Sequence, residues 1–128
     1  MKSKSLYFGL FLFVMLSAVG HLSAAEKPKV LRHVVEFKFS PQATAENIQR
    51  IENSFAALPQ KIKEIKNFEW GTNVSPEGLS QGLTHCFILT FTSDKDRDAY
   101  LVHPDHKAFG KSLGKDLEKV TVIDFWTK

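Results

Sequence analysis

Residues 83–92, LTHCFILTFT, have the pattern expected of a central β-strand. Alternate residues from His85 to Phe91 fall on one face of such a strand, and those from Cys86 to Thr90 fall on the other. Both sets are largely apolar, which is typical of a strand that is covered on both faces. We therefore expect this strand to lie in the middle of a sheet.

Three further stretches have the alternation of strands: residues 30–39, 68–74 and 118–126. In the first of them, one face is apolar except for His33. Burying an imidazole costs desolvation free energy unless the ring is hydrogen-bonded. His33 is therefore either a satisfied core histidine or part of a site, and the residue alone does not decide between these.

The spacing of apolar residues predicts three helices, over residues 45–58, 94–102 and 105–113. Pro59 is expected to end the first, because proline cannot continue a helix. Ser93 is a suitable N-cap for the second. Pro104 separates the second from the third, since the residue before a proline avoids helical geometry.

The element order is strand, helix, strand, strand, helix, strand, with the second helical region broken at Pro104. This order predicts an α+β, ferredoxin-like βαββαβ fold with a four-stranded antiparallel sheet and helices on one face. Right-handed crossovers place the first and third strands in the middle. The opposite face carries Val34, Cys86 and Ile88 and needs a cover, so we expect a homodimer through this sheet face.

The N-terminal residues predict export. Lys2 and Lys4 precede an apolar run from Leu6 to Val19, and small residues follow at positions 23–25, so residues 1–25 have the pattern of a signal peptide. The run is shorter than the roughly 20 residues of a membrane span. We predict a periplasmic or secreted protein with no membrane attachment after cleavage; an uncleaved anchor is the alternative.

The mature chain has no charge pattern that suggests nucleic-acid binding. Removing Lys2 and Lys4 lowers the formal net charge from +3 to +1, and no basic run remains. Cys86 is the one cysteine in the sequence, so an internal disulfide is excluded. The core, or association with a second copy, must therefore supply the stability.

Residues 100–109, YLVHPDHKAF, are the candidate site. The break at Pro104 places side chains at an element boundary, where sites are often built. Imidazole titrates near neutral pH, so His106 could remove a proton next to a carbonyl group. The phenol of Tyr100 could donate a hydrogen bond to the oxygen that becomes negative.

Other interpretations of this stretch stay open. His103 has the position of a helix cap. His103, Asp105, His106 and a strand histidine have suitable ligand types for a metal, but the spacing is loose. Haem or oxygenase chemistry is a further alternative, and the same polar groups could form a network that only fixes the fold.

As a set, several motifs resemble the stress-response dimeric α/β-barrel (Dabb) family. They are His33 with Phe37–Phe39, GTNVSPEG at 71–78, GLTH at 82–85, Tyr100 with HPDH at 103–106, and Asp124–Phe125. The resemblance assigns residues 30–127 to one Dabb domain. It implies a ferredoxin-like subunit that pairs sheet to sheet into a dimeric barrel, in agreement with the strand pattern.

The resemblance also implies roles for individual residues. A polyketide cyclase of this family has its catalytic base at the position of His106 and its assisting tyrosine at Tyr100. Two further pocket histidines of that enzyme match His33 and His85, so we expect all four side chains to converge. A second pocket tyrosine of that enzyme falls on Phe55, which lacks the hydroxyl and argues against the same substrate.

We predict an exported, homodimeric Dabb protein that binds a small molecule or serves in stress, without a cofactor. An acid–base lyase, isomerase or polyketide-cyclase-like enzyme is the alternative, and an oxygenase-type barrel a further one. The ligand would be a small apolar or aromatic carbonyl compound. Its apolar wall would consist of Val35, Phe37, Ile51, Phe55, Phe87 and Phe109.

Overall fold

The computed structural model describes residues 26–128, so the predicted signal peptide lies outside the described residues. The elements are β1 (Leu31–Phe39), α1 (Ala45–Ala56), α2 (Leu58–Lys61), β2 (Asn67–Thr72), β3 (His85–Phe91), α3 (Asp94–Val102), α4 (Pro104–Leu113) and β4 (Leu117–Trp126). A 3₁₀ turn, Gly114–Asp116, joins α4 to β4. In this part of the chain no helix has the length and apolarity that crossing a membrane requires.

The four strands form one sheet in the order β2-β3-β1-β4, and every neighbouring pair is antiparallel. This confirms the ferredoxin-like α+β prediction, including the central positions of β1 and β3. The helices cover one face of the sheet, and the core lies between the helices and that face. Buried side chains of the sheet, including Phe37, Phe87 and Leu89, pack there with Ile51 and Phe55 of α1.

The helix boundaries follow from local chemistry, and two of them differ from the prediction; one difference is that α4 begins at Pro104, one residue before the predicted start. Thr44 caps α1 by accepting from the amide of Asn47, and Ser93 caps α3 by accepting from Asp96. The predicted helix over 45–58 ends at Ala56, and Pro59 belongs to the first turn of α2. Proline is tolerated there because the first amides of a helix have no intrahelical partner.

The edge strand β4 leaves apolar side chains uncovered on both faces. On the face opposite the helices, which we call the open face, Ile123 is 56% exposed and Phe125 is 48% exposed. On the helix side, Val120 and Val122 are also exposed. An apolar surface that continues around an edge strand is typical of an interaction site.

Candidate functional site

His33 forms a close pair with a carboxylate of the neighbouring strand. The β1–β4 register places His33 opposite Asp124, so both side chains lie on the helix-covered face. His33 Nδ1 is 2.6 Å from Asp124 Oδ1, and His33 is only 4% exposed. A carboxylate only accepts, so Nδ1 carries the proton and donates it, which leaves Nε2 of the neutral ring as an acceptor.

The second oxygen of Asp124 accepts from an arginine of α3. Arg97 Nη1 donates to Asp124 Oδ2, and Arg97 Nε donates to Asp98 Oδ1 at 2.7 Å. These hydrogen bonds, to Asp98 first and then Asp124, raise the pKa of Arg97. Asp124 is thus held between a cation on one side and an imidazole on the other.

Tyr100 lies between His33 and His106. These three side chains, together with Asp124 and Arg97, form what we call the polar cluster. Tyr100 is 1% exposed, and its ring centroid lies 5.6 Å from that of His33 and 4.3 Å from that of His106. Burial raises the pKa of Tyr100 above its ordinary value, so the phenol keeps its proton at physiological pH. Tyr100 is therefore available as a hydrogen-bond donor and not as a base.

His106 lies in the first turn of α4, which begins at Pro104. Its Nδ1 lies 3.1 Å from the carbonyl oxygen of Leu101. Because a carbonyl only accepts, Nδ1 donates and Nε2 keeps its lone pair. Burial, the largest cause, lowers the pKa of His106, although the hydrogen bond to Leu101 opposes this shift. Near neutral pH the ring is a neutral base that reaches partly to solvent.

His103 caps α4, which confirms its predicted structural role. Its Nδ1 accepts from the amide of Asp105 at 3.2 Å. This contact commits Nδ1 to the helix end, where it satisfies one of the unpaired first-turn amides. Within residues 26–128, no group of three or more His, Cys, Asp or Glu side chains is arranged to hold a metal ion.

The expected convergence of His85 with the other three residues is wrong. In the antiparallel β1–β3 pair, His33 lies opposite Leu89, whereas His85 lies opposite Phe37. The two histidines therefore stand at opposite ends of the central strands, about 13 Å apart at 3.3 Å per residue. His85 is instead bound to Glu52 Oε1 at 2.8 Å through Nε2 and to Thr84 Oγ1 at 2.9 Å through Nδ1.

The predicted wall residues lie together, but they pack against one another around Phe55. Its ring centroid lies 4.5 Å from those of both Phe87 and Phe109. All six predicted wall residues are buried: Val35, Phe37, Ile51, Phe55, Phe87 and Phe109. They are core residues in this structure, and a role in substrate binding stays a prediction.

Two cavities found among the described residues lie elsewhere. The larger, about 720 Å³, lies mainly over the open face, with Glu36, Cys86 and Ile88 in its lining. The smaller, about 270 Å³, lies beside Gly114 and the start of β4. Neither is lined by His33, Tyr100 or His106. Within the polar cluster, His106, Asp124 and Arg97 are each partly exposed to solvent.

Sequence reasoning missed two members of the cluster, Asp124 and Arg97. Asp124 carried a usable signal, because it is the polar residue in the row Val120, Val122, Asp124 and Trp126. A polar group on an apolar row needs a partner, and His33 is the matching exception on β1. Arg97 is one of several charged residues in α3, so nothing in the sequence singled it out.

The chain is similar to proteins of one family. The sequence model of the stress responsive A/B barrel domain matches residues 31–127. The stress-response A/B barrel domain-containing protein HS1 of Arabidopsis thaliana is 37% identical over 74% of this chain and 87% of its own length. Olivetolic acid cyclase of Cannabis sativa is 26% identical over 74% of this chain and 94% of its own.

Solved structures with the same fold include an enzyme and a dimeric protein. A hydroxynitrile lyase from Passiflora edulis superposes with a TM-score of 0.74 at 27% identity, over 80% of this chain and 96% of its own. A dimeric ferredoxin-like protein of unknown function from Bacteroides fragilis superposes with a TM-score of 0.63 at 29% identity, over 77% and 96%. Similar proteins thus include a cyclase, a lyase and a dimer.

Proposed function

Because this chain belongs to the stress responsive A/B barrel domain (Dabb) family, we propose that it is an acid–base enzyme for small carbonyl compounds. The observation that carries this proposal is the pair of imidazoles beside Tyr100, each with Nδ1 committed to an acceptor. Such a ring is fixed in the tautomer that leaves Nε2 basic. A base and a protonated phenol in contact are the parts of a proton-transfer site.

The proposed reaction is reversible cleavage of a hydroxyl-bearing carbonyl adduct. His106 Nε2 removes the hydroxyl proton, the oxygen electron pair forms the C=O bond, and the adjacent C–C bond breaks. The electron pair of that bond leaves with the carbanion, which takes a proton from the imidazolium and restores neutral His106. Tyr100 donates a hydrogen bond to the oxygen while it carries negative charge.

Two similarities support this class of reaction. The chain resembles a hydroxynitrile lyase in fold at 27% identity and a cyclase at 26% identity. Position 55 holds phenylalanine where the cyclase resemblance places a pocket tyrosine, which argues against a shared substrate. We therefore propose small substrates, aldehydes and their cyanide adducts, as the first to test.

Mandelonitrile is the probe for this proposal. The purified protein should release benzaldehyde faster than buffer alone and faster than serum albumin at equal concentration, as measured by ultraviolet absorbance. Saturation with increasing mandelonitrile should accompany the release. Absence of turnover would overturn the proposed reaction, and absence of benzaldehyde binding by ligand-observed NMR as well would exclude a binding role for the site.

A second candidate is a non-enzymatic stability module, favoured by the packing around Phe55. The aromatic rings there leave the polar cluster without a cavity among the two described. This candidate predicts a high midpoint of thermal unfolding and no binding of a ligand at the site residues. The mandelonitrile experiment separates the two, because a stability module shows neither turnover nor binding.

We also propose that the protein is a homodimer through its open face. The exposed Ile123 and Phe125 and the dimeric Bacteroides fragilis neighbour support this assembly. Ile123→Glu should shift the protein toward monomer, because a charge at an apolar interface is desolvated without a partner. Multi-angle light scattering measures the mass. Val102→Glu, a charge on an exposed apolar residue of α3, should leave the dimer intact; equal behaviour of both variants would contradict the open-face interface.

Export is a further proposal, and it rests on residues 1–25 alone. The charged start, the apolar run and the small residues before Glu26 support cleavage after Ala25. Intact-mass measurement of protein from a bacterial periplasmic fraction should give a chain that begins at Glu26. A mass that includes the first 25 residues in the membrane fraction would favour the uncleaved anchor instead.

A further inference from the structure

We propose that Arg97 is a positioning residue for His33, acting through the carboxylate of Asp124. The expected effect of Arg97 on turnover rests on the function proposed above, whereas its effect on the tautomer of the His33 ring does not. The inference starts from the two oxygens of Asp124, which have separate partners. Oδ1 lies 2.6 Å from His33 Nδ1, and Oδ2 accepts from Arg97 Nη1.

Asp124 needs a second partner because it lies on an edge strand. Its side chain is 27% exposed, whereas that of His33 is 5% exposed. A partly exposed carboxylate with one partner can rotate toward water, which solvates it well. The bond from Arg97 opposes that rotation and ties the carboxylate to α3. The direction of the Asp124–His33 bond is then set from two elements, β4 and α3.

Arg97 is itself oriented by carboxylates of its own helix. Its Nε lies 2.7 Å from Asp98 Oδ1, and its Nη2 lies 3.5 Å from Asp94 Oδ1. These contacts use nitrogens other than Nη1, which is left for Asp124. Because a guanidinium is planar, fixing two of its nitrogens fixes the direction of the third. A lysine would supply the charge without this geometry.

The consequence for His33 is the choice of tautomer. With Asp124 held in place, Nδ1 carries the proton of the neutral ring and Nε2 is the acceptor. If Asp124 turns away, neither nitrogen is favoured. Part of the population then presents N–H instead of a lone pair beside Tyr100, the hydrogen-bond donor of the proposed reaction. In metal sites, loss of the partner that orients a ligating histidine typically costs about 10–100-fold in metal affinity or activity, and we expect a loss of this order here.

The test compares Arg97→Gln with Lys95→Gln, which removes the same charge from the same helix. Nitrogen-15 NMR of the histidine rings reports the tautomer of His33. We expect an Nδ1–H tautomer in the wild type and in Lys95→Gln, and a mixture in Arg97→Gln. Arg97→Lys should give an intermediate result, which also provides a second variant if Arg97→Gln folds poorly.

Kinetics with mandelonitrile form the second arm of the test. Arg97→Gln should lower kcat by about 10–100-fold with little change in KM, and Lys95→Gln should change neither. An unchanged His33 tautomer in folded Arg97→Gln would overturn the proposal, whatever happens to kcat. If the wild type does not turn over mandelonitrile but the tautomer shifts, the proposed reaction fails while the positioning role of Arg97 stands.

Discussion

Replacing His106 with glutamine is expected to lower kcat/KM for mandelonitrile by about 10²–10⁴-fold, the contribution that a positioned acid–base group typically makes. Glutamine keeps a polar side chain of similar length, so it removes the basic nitrogen with little loss of packing. His106 is only half-buried and its one described hydrogen bond is to the Leu101 carbonyl. We therefore expect the free energy of unfolding to change little.

Lys107→Gln is the matched control for this variant, because it alters the next residue of α4 at an exposed position. It should retain wild-type kcat/KM and wild-type stability. If His106→Gln retains activity too, another group is the base, and His33 would be the next candidate. If both variants lose activity equally, the effect belongs to α4 as a whole and not to the imidazole.

The pH dependence gives an independent check on the same residue. A general base works in its deprotonated form, and burial lowers the pKa of His106 below its ordinary value. The acid limb of kcat/KM should therefore lie below pH 6.5, the midpoint of an unperturbed imidazole. Tyr100, whose pKa burial raises, should add no loss of activity on the alkaline side up to pH 9.

The fold was predictable because it depends on periodicity. The two apolar faces of β3, the half-apolar pattern of β1 and the proline between α3 and α4 each indicate one element. Topology rules then leave few ways to connect them. The break at Ala57 was missed because the apolar spacing continues through it, and only the backbone geometry shows that a second helix begins at Leu58 with Pro59 in its first turn.

The site was less predictable, because side chains meet across strands whose register the sequence does not state. His33 and His85 occupy equivalent places in their sequence patterns, yet antiparallel pairing carries them to opposite ends of the core. The same pairing brings Asp124 to His33, although 91 residues separate them in the chain. Register depends on the whole sheet, so a list of site residues read one strand at a time misplaces some of them.

Replacing Phe55 with alanine is expected to lower the free energy of unfolding by about 3–5 kcal/mol, the usual cost of deleting a fully buried aromatic ring. Phe55 is 1% exposed and joins α1 to the sheet through Phe87 and to α4 through Phe109. The ring is packed against Phe87 and Phe109, so its removal leaves a cavity. Urea denaturation followed by circular dichroism measures the change.

Phe55→Tyr separates a packed core from a ligand pocket, because it adds a hydroxyl at the position where the family resemblance places a pocket tyrosine. In the packed arrangement the new hydroxyl is buried without a partner and should cost about 1–3 kcal/mol. A Phe55 that lined an open pocket would accept the hydroxyl with no loss, and its alanine variant would lose well under 3 kcal/mol. Large losses in both variants would assign Phe55 to the core and confine any substrate to the His33, Tyr100 and His106 end of the sheet.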